Sequence, residues 1–394
     1  MRVLFVTPLY YPNLKGGSER SLKILAEGMV KKGVGVSVLS FDNDKKGVLE
    51  EKLNGVKVIR VKKMKITPNT LAYNVSLLRY KGIVERENPD IVHVYNTWQM
   101  PAAYFLKTSK RKVIASLNNY YPICPISYTK NNLMERKKFN FITMFFGLKD
   151  TLNLKFPLNY LAALGYALYW KPIYFFSSRL DLYIPISRTT GKIFALQGFD
   201  EKKIKFVCNL FDKDNLIIYK SKKRKKNMAI YVGALIESKG VLEMLEAFRK
   251  IKNKKLKLYL IGGGVLSEDV KKYINEHKLN AVSLGRLKFE ELKKYYSSCS
   301  FTIHPSLWPD PFPRVMMEIM QHDCPVLAAD NPVAIEAFGE GALYYHRGDI
   351  QDFADKIDLI AGGKVKKSLV KSREKIFSKN PIDEIYSHYL RLLK

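Results

Sequence analysis

Apolar residues in this chain fall in short runs, and between the runs they recur at helical spacing. "RVLFVTP" (2–8) is one such run. It is followed by a polar, glycine-bearing stretch, "LYYPNLKGGSER", and by "SLKILAEGMVKKG" (21–33), where Leu22, Leu25, Ala26 and Met29 share one helical face. "VGVSVLSF" (34–41) comes next. Strand, glycine-bearing loop, helix and strand form the unit of a parallel doubly wound sheet. Apolar runs at "VKVIRV" (56–61), "DIVHVYN" (90–96), "KVIASL" (112–117) and "DLYIPIS" (181–187) extend it, predicting a first domain over 1–212.

The rhythm restarts at residue 228. Strands are predicted at 228–235, 256–264, 281–287, 300–306 and 325–330, with helical patterns between them, which gives a second parallel α/β domain over 228–378. Residues 379–394 read as a C-terminal helix, with the option of packing back on the first domain. Ligands of open parallel sheets bind where loops leave the carboxyl ends of the strands, so a cleft between two facing domains is the expected site.

Two stretches break the alternation. Residues 213–227 end in a block of basic residues, Lys220, Lys222, Lys223, Arg224, Lys225 and Lys226. Like charges repel and extend, so this block reads as the linker. At about 131–180, Lys and Arg alternate with Phe, Tyr, Trp and Leu. Such a stretch suits a surface resting on anionic lipid, or helices packed beside an acceptor channel, and both readings stand.

Composition narrows the partners. The net charge of +30 over 394 residues calls for something acidic: nucleic acid, an anionic membrane or phosphorylated substrates. Basic residues spread over helix faces and a linker without a binding motif exclude nucleic acid as the reading. Four scattered cysteines and six histidines without metal-ligand spacing point to a reducing compartment and no metal. With neither a signal-peptide core nor a spanning run, the expectation is a cytoplasmic protein, peripheral on the inner face of the cell membrane.

The candidate chemistry lies in the predicted loops. Gly16 and Gly17 stand just before a helix, where backbone N–H groups and the dipole suit a phosphate. Lys239 follows the first strand of the second domain. "LWPDPFPRVMMEIM" carries two carboxylates, Asp310 and Glu318, with Pro313 placed to open a helix and Arg314 beside it. Cations and helix starts for a diphosphate, together with carboxylates for hydroxyls, fit a sugar nucleotide.

At this point the order of parts resembles the GT-B retaining glycosyltransferases of family 4, along essentially the whole chain. The resemblance rests on "GGSER", "DIVHVYN", "IPISRTTGKIFALQGFDEKKIKFVCNLFD", "YVGALIESKGVLEMLEAF", "LIGGG", "LGRLKFEELKKYYSSCSFTIHPS", "WPDPFPRVMMEIMQHDCPVLAAD", "VAIEAFGEGAL" and "RGDIQDFADKI". It implies an α/β GT-B fold of two Rossmann-like domains, the second binding the donor. It also implies metal-independent transfer, with retained configuration, from a UDP- or GDP-sugar to a glycan or polyprenyl-linked acceptor, with no further cofactor.

By the same resemblance Asp310 and Lys239 act at the reacting centre, with Asn118 where the family carries a histidine. Gly16, Gly17, Gly233, Arg286, Pro311, Phe312, Arg314 and Glu318 would bind the donor, and His93, Asn96 and Tyr120 would lie on the acceptor side. This chain departs from the pattern with Asp310 in place of Glu, Ala234 in place of an Arg, and Asn118, which carries no proton at neutral pH. These departures leave a second reading open, a catalytically weak or inactive relative that binds a sugar nucleotide or a glycan.

Overall fold

The computed structural model describes residues 1–13, 16–43, 47–124, 156–213, 216–219, 224–363, 365 and 367–394. They form two units, Met1–Asp214 with Asn380–Lys394, and Asn215–Lys379. Residues 131–155 of the basic, aromatic stretch and residues 214, 215 and 220–223 of the expected linker lie outside the described residues.

Unit 1 is built on β1 (Arg2–Thr7), β2 (Gly35–Ser40), β3 (Leu49–Leu53), β4 (Val56–Arg60), β5 (Ile91–Val94), β6 (Lys112–Leu117) and β7 (Leu182–Pro185), in the order β3-β4-β2-β1-β5-β6-β7. Every neighbouring pair is parallel except β3/β4. The run 49–53 was not expected as a strand, because Glu50, Glu51 and Lys52 hide the apolar alternation. The Asn54-Gly55 turn that joins it to β4, with φ of 50° and 85°, is the tight hairpin signal that could have revealed it.

Central strands of a parallel sheet are covered on both faces and read as continuous apolar runs. All four residues of β5 are accordingly buried. Helix Gly17–Lys31 crosses from β1 to β2 and buries Leu22, Leu25, Ala26 and Met29. Helix Pro381–Leu393 lies against it in the same unit and buries Ile382, Ile385 and Tyr389. A Cβ at Gly28 would come within 2.6 Å of Ile382 Cδ1, so glycine lets the two helices approach closely.

Unit 2 holds β8 (Met228–Val232), β9 (Lys257–Ile261), β10 (Ala281–Gly285), β11 (Phe301–His304), β12 (Val326–Ala329) and β13 (Leu343–Tyr345), in the order β10-β9-β8-β11-β12-β13 and wholly parallel. Strand β13 was also missed, since three residues are too few to show a period. In both units the first strand of the Rossmann pattern sits beside the fourth: β1 beside β5, and β8 beside β11. Chain direction across the sheet reverses there, and ligands of this fold bind at the carboxyl ends of those strands.

The basic block is not a solvated spacer where it is described. The Arg224 guanidinium donates to the carbonyls of Tyr296 and Cys299 (both 3.1 Å) and of His322 and Asp323 (2.9 and 2.8 Å). These carbonyls close helices Phe289–Ser298 and Arg314–Gln321, where unpaired C=O groups and the negative dipole end favour a cation. Counting charges along the sequence could not separate this arginine from its neighbours.

Candidate donor site

The loop after β8 begins at Gly233 and ends in a single turn, Glu237–Lys239, followed by Gly240 at φ 65°. A Cβ on Gly240 would lie 2.1 Å from the Pro305 carbonyl oxygen, so this loop and the one after β11 touch through bare backbone. Leu307 N–H donates to Ser238 O at 3.1 Å, joining them again. The loop after β9 packs equally close, as a Cβ on Gly262 would come within 1.8 Å of Gly233 O. Arg286, exposed in the loop after β10, rests over Gly263. The strand ends of β8, β9, β10 and β11 are thus laced into one platform.

The loop after β11 is held rigid. Asn331 Nδ2 donates to the carbonyls of Ser306 and Trp308, and Arg347 Nη1 to Leu307 O at 3.1 Å. Asp310 N–H donates to Trp308 O at 2.7 Å, and Phe312 N–H to Asp310 O at 2.5 Å. Phe312 is buried at φ 63°, a left-handed conformation that costs a bulky side chain energy and concentrates at functional sites. Pro311 beside it is buried too.

Within this frame Lys239 and Asp310 form an ion pair, each side chain 19% exposed. Burial pulls the lysine ammonium down to about 8. The adjacent carboxylate opposes that shift, because an opposite charge favours the charged form. Two buried polar atoms of the same loops, Ser238 Oγ and His304 Nε2, have no hydrogen-bond partner. Burial first and the Lys239 charge second push His304 down to about 3, so the ring is neutral near pH 7.

Helix Arg314–Gln321 starts one residue later than expected. Pro313 is its N-cap and Arg314 the first helical residue, and no side chain caps the first turn. One turn on, half-buried Glu318 accepts a 3.0 Å hydrogen bond from Tyr296 Oη through Oε2. Its Oε1 has no partner among the described residues. Burial and the Glu318 charge hold the Tyr296 hydroxyl well above its usual range, so it only donates. Tyr296 stacks on His322, and His322 on Tyr219 (centroids 5.1 and 4.2 Å), a ring stack that the spacing of these residues does not suggest.

The predicted residues of unit 1 stand differently. His93 is fully buried between Tyr389 Oη (2.6 Å from Nδ1) and Ser116 Oγ (2.8 Å from Nε2), and burial pushes it down to about 3. It fastens the C-terminal helix to β5 and cannot meet an acceptor. Tyr120 is likewise fully buried, its hydroxyl 3.2 Å from Thr190 Oγ1, so its assignment to the acceptor side is also corrected. Asn118 Nδ2 donates to Tyr95 O at 2.6 Å, and Asn96 Oδ1 accepts from Trp98 N–H at 3.0 Å. Gly16 N–H donates to Glu19 Oε2 at 2.7 Å, so the helix start at Gly17 already carries a carboxylate.

Sequence reasoning also passed over two features. Gln99, buried three residues beyond Asn96, has neither amide atom bonded. Cys299 and Cys324, far apart in sequence, meet with their sulfurs 3.1 Å apart and both reduced. Among the described residues no three His, Cys, Asp or Glu side chains gather to hold a metal ion.

Comparison with known proteins gives the platform its context. The family Glycosyltransferase Family 4 matches residues 15–215, and Glycosyl transferases group 1 matches residues 212–376. An uncharacterised 42.6 kDa protein of the Klebsiella pneumoniae cps region is 25% identical, covering 100% of both chains. The O-antigen chain mannosyltransferase C of Escherichia coli is 22% identical over 78% of this chain and 73% of its own. Among solved structures, Anabaena HepE in complex with UDP and glucose superposes with a TM-score of 0.67 at 16% identity, covering 99% of each chain. Two Rossmann units and family matches that together run from residue 15 to 376 agree: the chain belongs to the group 1 glycosyltransferases of the GT-B fold.

Proposed function

We propose that this glycosyltransferase takes a sugar from a UDP- or GDP-sugar held on unit 2. It passes the sugar, with retained anomeric configuration and without a metal, to a glycan or lipid-linked acceptor bound by unit 1 at the cytosolic face of the membrane. The observation that carries the reading is the Lys239–Asp310 pair at the β8/β11 reversal, beside two unpartnered buried polar atoms. Matched relatives named for O-antigen chain assembly and a structural neighbour bound to UDP and glucose support the choice of substrates.

The pair is a resting arrangement. When a donor enters, its diphosphate draws the Lys239 ammonium, and Asp310 is released to accept from sugar hydroxyls. The uncapped first turn of helix Arg314–Gln321 presents N–H groups to the same phosphates. Glu318, with Oε2 fixed by Tyr296, offers Oε1 to a ribose hydroxyl. The bond from C1 to the phosphate oxygen breaks, with its electron pair leaving on the diphosphate. The acceptor oxygen bonds C1 on the same face and its proton passes to the departing phosphate oxygen. Charge gathers on the diphosphate as this happens, and Lys239 with the helix start counters it, a preorganised electrostatic role.

Asp310 in place of the family's Glu shortens the acid by one methylene, so sugar preference is where this site should differ from its relatives. Ala234 and Asn118 favour a second reading, donor binding without turnover. Calorimetric titration with UDP, GDP and a panel of their sugars, followed by assay of hydrolysis, separates the two. Binding with hydrolysis supports transfer, binding alone supports the second reading, and neither binding nor hydrolysis across the panel rejects both. Turnover that persists in EDTA checks metal independence.

A further inference from the structure

Helix Leu158–Ser177 buries Ala163, Ala167, Trp170, Ile173 and Ser177 against its own unit, and Trp170 Nε1 donates to Pro122 O at 3.0 Å. A helix mounted on a core in this way normally turns polar residues to water. Here the outer face carries Leu158, Leu161, Leu164, Leu168 and Phe175, 41% to 63% exposed and spaced by turns of the helix. Phe105, also exposed, widens the strip, its ring centroid 4.7 Å from that of Phe176. Contiguous exposed apolar patches of this kind mark contact with something apolar.

Charge selects the occupant. Residues 97–124 and 156–180 contain no Asp or Glu, while Lys171 and Arg179 flank the Phe175 end of the stripe, with the Arg179 guanidinium 3.5 Å from the Phe175 ring centroid. A second copy of a chain with net charge +30 would bring the same basic rim and be repelled. Among the described residues no helix is long and apolar enough to cross a membrane. We propose that the outward leucine stripe of helix Leu158–Ser177 seats the protein in the interfacial region of an anionic bilayer leaflet, lying in the plane with Lys171 and Arg179 reaching the headgroups. The outer leucines enter the acyl boundary while the inner face stays on the protein, and the two basic side chains supply the surface's preference for anionic lipid. This deepens the lipid-face part of the proposed function but rests on none of the donor-site geometry.

The test is flotation of the full chain with vesicles of phosphatidylglycerol and phosphatidylcholine, against phosphatidylcholine alone, at low and moderate salt. The wild type should float with the anionic vesicles and release as salt rises. Leu161→Glu/Leu168→Glu should lose at least about tenfold in vesicle affinity, with melting temperature and nucleotide binding unchanged. Leu161→Ser/Leu168→Ser should show the same loss without added charge. Wild-type protein that ignores anionic vesicles at low salt would overturn the proposal. So would leucine variants that float as well as wild type, or a concentration-dependent dimer that the variants abolish in place of vesicle binding. Lys239→Ala should leave flotation untouched, which separates failure here from failure of the donor reading.

Discussion

The same strand order builds two strand reversals in this molecule, and the two are used in opposite ways. At the β8/β11 reversal of unit 2 a half-buried ion pair, two unpartnered polar atoms, a left-handed Phe312 and an uncapped helix start lie on neighbouring loops. At the β1/β5 reversal of unit 1 the candidate side chains are bonded to their own unit. His93 is tied to Tyr389 and Ser116, Asn118 to Tyr95, Asn96 to Trp98 and Gly16 to Glu19. The order of six parallel strands that the two sheets share therefore fixes where a ligand can go. What marks unit 2 as the place of the proposed donor site is polar capacity left unspent, which unit 1, Gln99 apart, uses at its own reversal for cohesion.

The largest effect expected from this contrast is on turnover. Lys239→Ala should lower kcat/KM by about 10²- to 10³-fold, the usual consequence of removing one preorganised charge partner, with little change in melting temperature. His93→Gln should do the reverse, destabilising unit 1 in urea while kcat/KM of the folded fraction holds. If His93→Gln abolishes turnover at unchanged stability, the two reversals are not functionally distinct.

Next in size is Arg224→Ala. It removes a charged donor from four carbonyls at two helix ends, for a loss of about 3 kcal/mol in urea unfolding. A loss under about 0.5 kcal/mol would return this arginine to the status of a solvated charge.

Acid should unsettle both units. His93, His304 and His322 are buried with pKa values pushed from 6.5 down to about 3, 3 and 4, burial being the first cause in each. Because the unfolded chain binds these protons first, each stabilising contribution is complete above about pH 6.5 and shrinks as pH falls toward the folded values. The loss between pH 7 and 5 is about 2 kcal/mol per histidine. Unit 2 carries two of these three, and in unit 1 His388, half-buried, is also lowered by burial, so unfolding followed by separate probes should show both units losing stability over this range. The smallest effect is Tyr296→Phe, which leaves Glu318 without its Oε2 donor and should weaken nucleotide binding by about 1 kcal/mol in calorimetry.

Much of this arrangement was legible in the sequence, and what was hidden follows a physical line. Strand runs such as "IVHV" and "FTIH" were visible because a parallel sheet buries both faces of a strand. Asp310 and Glu318 were visible because their acids stand out among Pro, Met and Ile. Hidden were the partners. Lys239 meets Asp310 across 71 positions, Tyr296 reaches Glu318 across 22, and Arg224 finds four carbonyls from inside a run of like charges. His93 misled for the same reason: a titratable residue near the end of a strand suits catalysis or core equally, and only Tyr389, distant in sequence, decides it.

Helix Pro381–Leu393 closes unit 1 although the whole of unit 2 comes before it in the chain. During synthesis the ribosome must make the 165 residues between Asp214 and Asn380 before Tyr389 can reach His93, a wait of roughly 8 to 33 seconds at ordinary elongation rates. For that interval the His93 side of the sheet lacks the part of its cover that this helix supplies, so unit 1 is the first to be started and the last to be finished. Chaperone dwell time on nascent chains should therefore track the length of unit 2.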